Sequence, residues 1–278
     1  MIEYLQLEIN GTCKRSCPGC LPAKYKTGRM MTVDEVVSLA DQAAAVGVKS
    51  AAIAGFGSPV DHPDFDEIVK VLMSKVPVVS MTCRPEELMR TGAVHYVGVS
   101  IDSLDDAKDL VEILAASAPT GKSIIPHIVM TDKVGRSIDL LLTILAAWGN
   151  KFAQVTVAAP VPLCSDPEYL KVFRESNSNT KQSWANLQSV FPWLSSWSPM
   201  KIAVAEPEER MEVCPWLNHT GYFIKANLDI MPCCYLPTVD RIGNLSELSL
   251  YELDKKADAH VPYRDFCLKC PQFFPDGD

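Results

Sequence analysis

Three cysteines near the N-terminus, Cys13, Cys17 and Cys20, carry the clearest chemical signal in the sequence. Their spacing is C-x3-C-x2-C, and they directly follow a run of alternating apolar residues that predicts the first β-strand. Thiolate sulfur binds soft metals and iron–sulfur clusters in preference to hard cations. A cubane cluster held by three thiolates has one iron without a protein ligand, which a small molecule can chelate. The triplet therefore predicts such a cluster; half of a zinc site, or unconnected thiols, is the alternative.

A second group of cysteines lies in the last 65 residues of the chain. This group consists of the C-x2-C pair Cys267 and Cys270, of Cys214, and of the adjacent Cys233 and Cys234. Four thiolates are enough to close an iron–sulfur or a zinc site. Spacing alone leaves open which metal is bound and which of the adjacent cysteines takes part.

Two further cysteines, Cys83 and Cys164, follow the third and the sixth predicted strands. Buried thiols are usually inert core residues, and the same holds for whichever of Cys233 and Cys234 is not a ligand. Because Cys83 and Cys164 stand at strand ends, either could instead face a substrate. They are weak candidates for a catalytic role.

Polar and glycine-rich segments follow several predicted strands. Gly55-Phe56-Gly57-Ser58-Pro59 comes after the second strand, where glycine lets the backbone approach a ligand closely; a tight turn is the alternative. Ser100 and Asp102 end the fourth strand on one face and are expected at the mouth of the sheet, although Asp102 could equally cap the next helix. His127, in the fifth strand, either lines a cavity or is a satisfied core residue.

Hydrophobic periodicity predicts the elements that must position these residues. Strands are expected over residues 3–9, 51–54, 76–81, 94–101, 123–130 and 152–158, alternating with amphipathic helices. This alternation indicates a parallel α/β sheet, and six units are too few for a closed eight-stranded barrel. We therefore predict a partial (β/α)6 TIM barrel over residues 1–160, with function on the loops at the C-terminal strand ends. Prolines interrupt residues 161–210, which predicts a connector with one helix near 183–190.

Composition narrows the class of protein. The chain has 278 residues, a net charge of −8, 47% hydrophobic residues and ten cysteines. Acidic residues are spread along it, which argues against a nucleic-acid partner. No apolar run reaches the roughly 18 residues of a membrane helix, and no signal peptide is visible. Without a signal peptide, so many cysteines favour metal ligation over disulfides, which predicts a reducing, cytoplasmic location.

The cysteine triplet after the first strand resembles the cluster loop of radical S-adenosylmethionine (SAM) enzymes. The resemblance implies a 4Fe–4S cluster whose open iron binds the amine and carboxylate of SAM. It also implies that Gly55–Pro59 hold the SAM amino group and that Ser100, Asp102 and His127 lie in the cofactor pocket. Two positions depart from the family pattern, since Ser58 stands where glutamate is usual and Gly19 where an aromatic residue is frequent.

The C-terminal cysteines resemble the SPASM/twitch extension of the same superfamily. The resemblance implies that residues 211–278 form a small domain with a second, auxiliary 4Fe–4S cluster. It favours Cys233 over Cys234, because the family ligand follows a proline, so the implied ligands are Cys214, Cys233, Cys267 and Cys270. No further cysteine follows Cys270, which indicates the shorter twitch form with one auxiliary cluster.

The resemblance also implies a class of reaction. A 5′-deoxyadenosyl radical would abstract a substrate hydrogen, most simply from a ribosomally made precursor peptide. Oxidation of a sugar-like alcohol, as by an aminocyclitol dehydrogenase, is the alternative, and Cys83 or Cys164 could return a hydrogen atom. Expected partners are the peptide or small-molecule substrate, a reductant such as flavodoxin or ferredoxin, and a separate peptide-recognition protein, because the chain begins at the first strand. A non-enzymatic electron carrier or zinc-stabilised module would need no SAM pocket.

Overall fold

The computed structural model describes residues 1–15, 17, 20–117, 121–158, 160, 163, 166–198, 200–204, 220–234 and 241–256. The strands are β1 (Tyr4–Leu7), β2 (Ser50–Ile53), β3 (Val78–Cys83), β4 (Tyr96–Ile101), β5 (Ser123–Val129), β6 (Val155–Ala158), β7 (Ile202–Val204), β8 (Gly221–Ile224), β9 (Asp229–Met231) and β10 (Gly243–Asn244). The α-helices are α1 (Val33–Val46), α2 (Phe65–Lys75), α3 (Leu104–Ala116), α4 (Asp132–Gly135), α5 (Ile138–Ala146), α6 (Pro167–Glu175), α7 (Thr180–Trp197) and α8 (Leu250–Lys256). Short 3-10 turns occur at Ala23–Tyr25, Pro59–Asp61, Pro85–Arg90 and Gly149–Lys151.

The strands form one sheet in the order β10-β9-β8-β1-β2-β3-β4-β5-β6-β7. Strands β1 to β7 are parallel neighbours in chain order, and β8 pairs in parallel with the other side of β1. Strands β9 and β10 continue the sheet in antiparallel fashion. Over the described residues the sheet keeps two edges, β7 and β10, and does not close. The predicted partial barrel is confirmed, and all six predicted strands are present.

Side chains on the two faces of the sheet have different surroundings. Those that point toward the helices are almost fully buried and apolar, as shown by Leu5, Leu7, Ile53, Val79 and Met81. Each such side chain contributes roughly 1.5–3 kcal/mol on burial. Those on the opposite face are small or polar and only partly buried, as shown by Gln6, Ala52, Ser80 and Gly98. The helices therefore cover the apolar face, and the other face is left to line an interior cavity.

Helix α1, which connects the cysteine loop to β2, has the ends that its sequence predicts. The Thr32 hydroxyl accepts from the Glu35 N–H at 3.2 Å, and the Glu35 carboxylate accepts from the Thr32 N–H at 2.8 Å. This reciprocal capping box satisfies two donors that a helix N-terminus leaves unpaired. The helix ends at Gly47, whose φ of 81° lies in the left-handed region that glycine adopts without strain.

Replacing Thr32 by alanine is expected to destabilise the fold by about 1 kcal/mol, because it removes the cap while leaving the helix interior intact. Urea denaturation followed by circular dichroism measures the change. Ser38→Ala, in the exposed middle of the same helix, is the matched control and should change stability by less than about 0.5 kcal/mol. An equal loss in both variants would contradict a specific capping effect.

The predicted connector has more structure than its prolines suggest. It contains α6, α7 and β7 rather than one helix, and α7 continues through Pro192. Strand β7 is only three residues long, which is too short to show a period of two. Helices α4 and α7 are joined by the buried Asp132, which accepts hydrogen bonds from the backbone and side chain of Asn179.

The described C-terminal residues pack against the start of the chain. Strand β8 lies beside β1, and helix α8 buries Leu250 and Leu253 near α1, where the Leu250 N–H donates to Gln42 Oε1 at 2.9 Å. Whether residues 211–278 form a separate domain remains a prediction. Within the described ranges, no helix has the length and apolar content needed to cross a bilayer.

Candidate functional site

The predicted site residues lie where the parallel strands end. The cysteine loop follows β1, the glycine-rich segment follows β2, Arg84 follows β3, and Asp102 follows β4. Because parallel strands have their C-terminal ends at one edge of the sheet, these segments meet there. Motifs that are far apart in the sequence therefore lie together around one opening, the mouth of the interior cavity.

Three partly buried thiols, those of Cys13, Cys17 and Cys20, lie in the loop after β1. The Cys20 N–H donates to the Cys17 carbonyl at 3.2 Å, and the Arg15 N–H points at Cys13 Sγ at 3.4 Å. Burial raises the pKa of the Cys17 thiol above its usual range; Arg84 lowers this pKa, while Cys20 and Cys13 raise it. The three sulfurs therefore act on one another electrostatically. Ser16, Pro18 and Gly19 lie outside the described residues.

The donor set fits an iron–sulfur cluster. Among the described residues no three His, Cys, Asp or Glu side chains stand close enough to hold a single metal ion, and this includes the three thiols. A cubane binds its thiolates at separate irons and so accepts a wider arrangement than one zinc ion does. Soft sulfur donors, one of them (Cys13) with a backbone N–H pointed at it, suit such a cluster.

Two arginines that the motif analysis did not single out flank the cysteine loop. Arg15 pairs with Glu86 at 2.9 Å and with Glu87 at 2.7 Å. Arg84 pairs with Asp102 and, at 3.0 Å, with Asp106. Each guanidinium group is thus paired with two carboxylates, and Arg84 also lowers the pKa of the Cys17 thiol. A basic residue directly after a strand of a parallel sheet was the available sequence signal for Arg84.

The end of the cysteine loop is held against helix α6. Tyr25 donates from its hydroxyl to Asp166 Oδ2 at 3.1 Å, and Lys24 pairs with the same carboxylate. The other oxygen, Asp166 Oδ1, caps α6 by accepting from the N–H groups of Glu168 and Tyr169 at 3.1 and 3.0 Å. One carboxylate thus connects the loop after β1 with the helix after β6.

The glycine-rich segment lies directly on the start of the cysteine loop. The Ser58 N–H donates to the Thr12 carbonyl at 3.1 Å, and the Asn10 amide donates to the Ser58 carbonyl at 2.7 Å. A Cβ at Gly57 would overlap the Asn10 carbonyl and lie 2.6 Å from the Thr12 carbonyl oxygen. Only glycine permits this approach, so the two loops form one backbone-to-backbone unit.

Ser58, which stands where the family has glutamate, contacts a carboxylate from another segment. Its hydroxyl donates to Glu87 Oε1 at 2.9 Å, and the Arg84 N–H donates to Glu87 Oε2 at 2.8 Å. Glu87 is buried and also pairs with Arg15. A buried acidic group is therefore present beside the glycine-rich segment, supplied by the 3-10 turn after β3. Its capping-box spacing from Arg84 was the visible signal.

Ser100, Asp102 and His127 lie on the inner face, each partly buried. Ser100 is in register with His127 on the neighbouring strand. His127 Nδ1 lies 2.6 Å from Thr156 Oγ1, which orients the ring. Helix α3 is capped by Ser103, whose side chain accepts from the Asp106 N–H, whereas Asp102 pairs with Arg84. Asp102 therefore does not cap the helix, and its carboxylate lies with Arg84 near Cys17, whose pKa it raises. Of these three residues, His127 lines the cavity and Ser100 and Asp102 do not.

A cavity of about 400 Å³ opens beneath this mouth. The lining side chains come from β1 to β6 and adjacent loops, and include Tyr4, Gln6, Phe56, Ser80, Thr82, Tyr96, His127, Thr156 and Cys234. Among the described lining residues there is no Lys, Arg, Asp or Glu. The described part of the wall presents hydroxyl, amide, imidazole, thiol and aromatic groups.

The remaining cysteines occupy different places. Cys83 is buried, and its side chain is on the opposite face of β3 from Ser80 and Thr82, which line the cavity. Burial raises the pKa of its thiol to about 12, and the structure gives it no direct access to the cavity. Cys233 is buried, whereas the neighbouring Cys234 lines the cavity. Four predicted functional cysteines lie outside the described residues: Cys164, Cys214, Cys267 and Cys270.

Comparison with known protein families gives a match in the N-terminal part of the chain. Residues 7–124, about two fifths of the chain, match the model of the Radical SAM superfamily, which is a superfamily of enzymes. The GTP 3′,8-cyclase of Clostridium perfringens strain 13 is 23% identical over 128 residues, covering 40% of this chain and 39% of the cyclase. The GTP 3′,8-cyclase of Lactiplantibacillus plantarum is 35% identical over 72 residues, 24% of this chain and 21% of that protein. This chain thus aligns with about two fifths or less of these relatives.

Solved structures share the fold over nearly the whole chain. Streptococcus suis SuiB bound to the precursor peptide SuiA superposes with a TM-score of 0.71 at 17% identity, covering 98% of this chain and 70% of SuiB. The enzyme anSMEcpe with bound AdoMet and the Cp18Cys peptide gives a TM-score of 0.65 at 12% identity, covering 98% and 90%. At these identities the likeness establishes the partial barrel architecture.

Proposed function

We propose that the protein is a radical SAM enzyme that abstracts a hydrogen atom from a precursor peptide during its maturation. The observation that carries the proposal is the contact between the glycine-rich segment and the cysteine loop, directly above a cavity of about 400 Å³. A loop with three cysteines, a glycine-rich backbone that approaches it closely and an open cavity thus lie together at the C-terminal strand ends of a partial barrel. An electron carrier or a structural zinc module needs neither the second loop nor the cavity.

Each group of residues has a proposed role that follows from its position. Cys13, Cys17 and Cys20 would hold the 4Fe–4S cluster, which when bound supplies the electron that cleaves SAM to a 5′-deoxyadenosyl radical. The backbone of Gly55–Pro59 would bind the methionine part of SAM, and Ser100 and Asp102 would bind the ribose. The cavity walls would exclude water from the reacting groups.

The described cavity wall, which has no Lys, Arg, Asp or Glu, supports an uncharged group as the reacting part of the substrate. A nucleoside triphosphate needs several cationic partners, and none lines the described wall of the cavity. This disfavours a GTP-like substrate, even though the matched curated relatives are named GTP 3′,8-cyclases. SuiB and anSMEcpe have the same fold and are described with bound peptides, which supports peptide modification. A sugar-like alcohol is the second candidate, because the hydroxyl and amide groups of Ser80, Thr82 and Gln6 could bind its hydroxyls.

The C-terminal cysteines would add an auxiliary cluster in a twitch-type domain at residues 211–278. Cys233, which lies two residues after β9, is favoured as a ligand because it follows a proline, as the ligand in the resembled family does. A cluster closed by four thiolates cannot bind substrate directly, so it would accept or relay an electron. A flavodoxin or ferredoxin would supply the first electron in the cytoplasm, and a separate recognition protein would deliver the peptide.

The proposal is tested with protein reconstituted with iron and sulfide under anaerobic conditions. After reduction, SAM cleavage is followed as 5′-deoxyadenosine by liquid chromatography and mass spectrometry. Candidate precursor peptides, aminocyclitols and GTP are then compared by the mass change of each after turnover. Failure to release 5′-deoxyadenosine from cluster-loaded protein would overturn the assignment. Cleavage with modification of GTP alone would overturn the substrate class.

Iron content distinguishes the two adjacent cysteines. Wild-type protein is expected to bind about eight irons per chain, as two 4Fe–4S clusters require. Cys233→Ala should reduce this to about four while SAM cleavage persists, because the first cluster is untouched. Cys234→Ala is the matched control and should keep about eight. Loss of iron from Cys234→Ala alone would transfer the ligand role to Cys234, and four irons in wild type would remove the auxiliary cluster.

A further inference from the structure

Glu8 is a buried carboxylate that joins two segments far apart in the chain. It follows β1 on the strand face that carries Tyr4 and Gln6, and only 1% of its surface is exposed. Glu8 Oε1 accepts from the Phe56 N–H at 3.0 Å, and Glu8 Oε2 accepts from the Ala226 N–H at 3.2 Å. Phe56 belongs to the glycine-rich segment, and Ala226 belongs to the turn between β8 and β9. Each oxygen of one side chain therefore serves a different segment.

Close packing keeps Glu8 against the glycine-rich segment. A Cβ at Gly55 would lie 2.7 Å from both Cβ and Cγ of Glu8, so the loop can approach only because residue 55 is glycine. The Phe56 ring also meets the Phe223 ring of β8 edge-on, with centroids 5.9 Å apart. The glycine-rich segment is thus linked to the β8–β9 region in two ways. Glu8 bridges Phe56 and Ala226, and the Phe56 ring packs directly on Phe223.

The electrostatic setting makes both hydrogen bonds necessary. Burial raises the pKa of the Glu8 carboxyl, while the N–H groups of Phe56 and Ala226 lower it, with smaller help from Lys225 and Lys26. A buried carboxylate is stable only when hydrogen-bond donors replace its lost hydration. If the turn at Ala226 moves away, Glu8 loses a donor and its hold on Phe56 changes as well.

We infer that Glu8 is a positioning residue that couples the docking of the β8–β9 turn to the shape of the SAM-binding segment. The inference rests on the proposed function, in which Gly55–Pro59 bind SAM. Because coupling between two sites is reciprocal, SAM binding should also stabilise the turn at Ala226. The C-terminal part of the chain then tunes SAM affinity without contacting SAM.

The first test is SAM affinity of the anaerobically reconstituted enzyme, measured by equilibrium dialysis. Glu8→Gln keeps the size of the side chain but offers a single acceptor oxygen, so the dissociation constant should rise about ten-fold, as expected for loss of one charge-assisted hydrogen bond. Asp132→Asn is the matched control, since Asp132 is also buried and also accepts backbone and side-chain donors, but from Ser178 and Asn179 rather than from the glycine-rich segment. It should lower thermal stability while leaving SAM affinity within two-fold of wild type.

The second test is hydrogen exchange of the wild-type and Glu8→Gln enzymes with and without SAM. SAM should slow exchange over residues 222–231 in the wild type, and this protection should be lost in Glu8→Gln. A merely structural role would lower stability without removing a SAM-dependent change. If the wild type binds SAM but Glu8→Gln binds it equally well, or SAM leaves 222–231 unchanged, the coupling is overturned and the proposed function stands. If the wild type does not bind SAM, the proposed function itself fails.

Discussion

Cys17→Ala is expected to abolish SAM cleavage and to halve the iron content of the reconstituted protein. Cys17 is the central thiol of the triplet. Burial raises its pKa, which is also lowered by Arg84 and raised by Cys20 and Cys13, so these three residues lie near it. With one thiolate missing, a second iron would lack a protein ligand, and the cluster could not be held in the geometry that leaves one site for SAM. We expect 5′-deoxyadenosine formation to fall by about 1,000-fold or more, since the binding and orientation of SAM are lost together.

Cys83→Ala is the matched control for this variant. Cys83 is also a buried cysteine at the active edge of the sheet, but its side chain faces the helices. Its replacement should cost about 1 kcal/mol of stability through a small cavity and should leave iron content and SAM cleavage intact. Iron analysis and 5′-deoxyadenosine release measured on both variants separate the two outcomes. Retention of all iron and full cleavage in Cys17→Ala would contradict the cluster assignment.

Gly57→Ala is expected to lower SAM affinity by about 100-fold, which corresponds to the upper end of the cost of losing one hydrogen bond to a charged group. The added methyl group would overlap the Asn10 carbonyl and crowd the Thr12 carbonyl, which are both backbone atoms and cannot rotate away. The glycine-rich segment must then move off the cysteine loop, so the hydrogen bond from the Ser58 N–H to Thr12 is lost. The cysteine ligands themselves remain in the chain, so the cluster should still assemble.

Gly243→Ala is the control for added bulk at a glycine. Its Cβ would meet the end of the flexible Leu248 side chain at 2.9 Å, which can adjust by rotation. SAM affinity should therefore stay near the wild-type value. Equilibrium dialysis with SAM and the absorbance of the cluster report on the two properties separately. Normal SAM affinity in Gly57→Ala would show that the two loops need not touch, and loss of the cluster would show that the contact serves the metal loop instead.

Several properties of the protein follow from short-range sequence patterns. Apolar residues at every second position predict β1 to β6, because a strand that packs against helices must bury one face. The capping box at Thr32 and the left-handed position at Gly47 set the ends of α1 through local hydrogen bonds. The cysteine triplet is likewise recognisable because Cys13, Cys17 and Cys20 lie within eight residues of one another. These features depend on residues within one or two turns of each other.

The site also depends on residues whose local sequence signals are weak. Glu87 and Arg84 are ordinary charged residues in the sequence, and they matter because the loop after β3 brings them beside Ser58 and Asp102. Strand β8 has only four residues, and no short-range pattern could show that it pairs with β1. Cys83 shows the opposite case: it ends a strand as a site residue would, but the alternation of side chains along β3 places its thiol on the buried face with Val79 and Met81.

The amino-acid sequence by itself determined the partial barrel, the cysteine loop and the glycine-rich segment, because each is specified by neighbouring residues. Only the tertiary structure decided which side chains meet at the mouth of the sheet. It brought Glu8 between Phe56 and Ala226 and left a cavity without charged walls among the described residues. The physical reason is that such contacts join segments whose separation along the chain is large, so their energies arise only when the sheet has assembled.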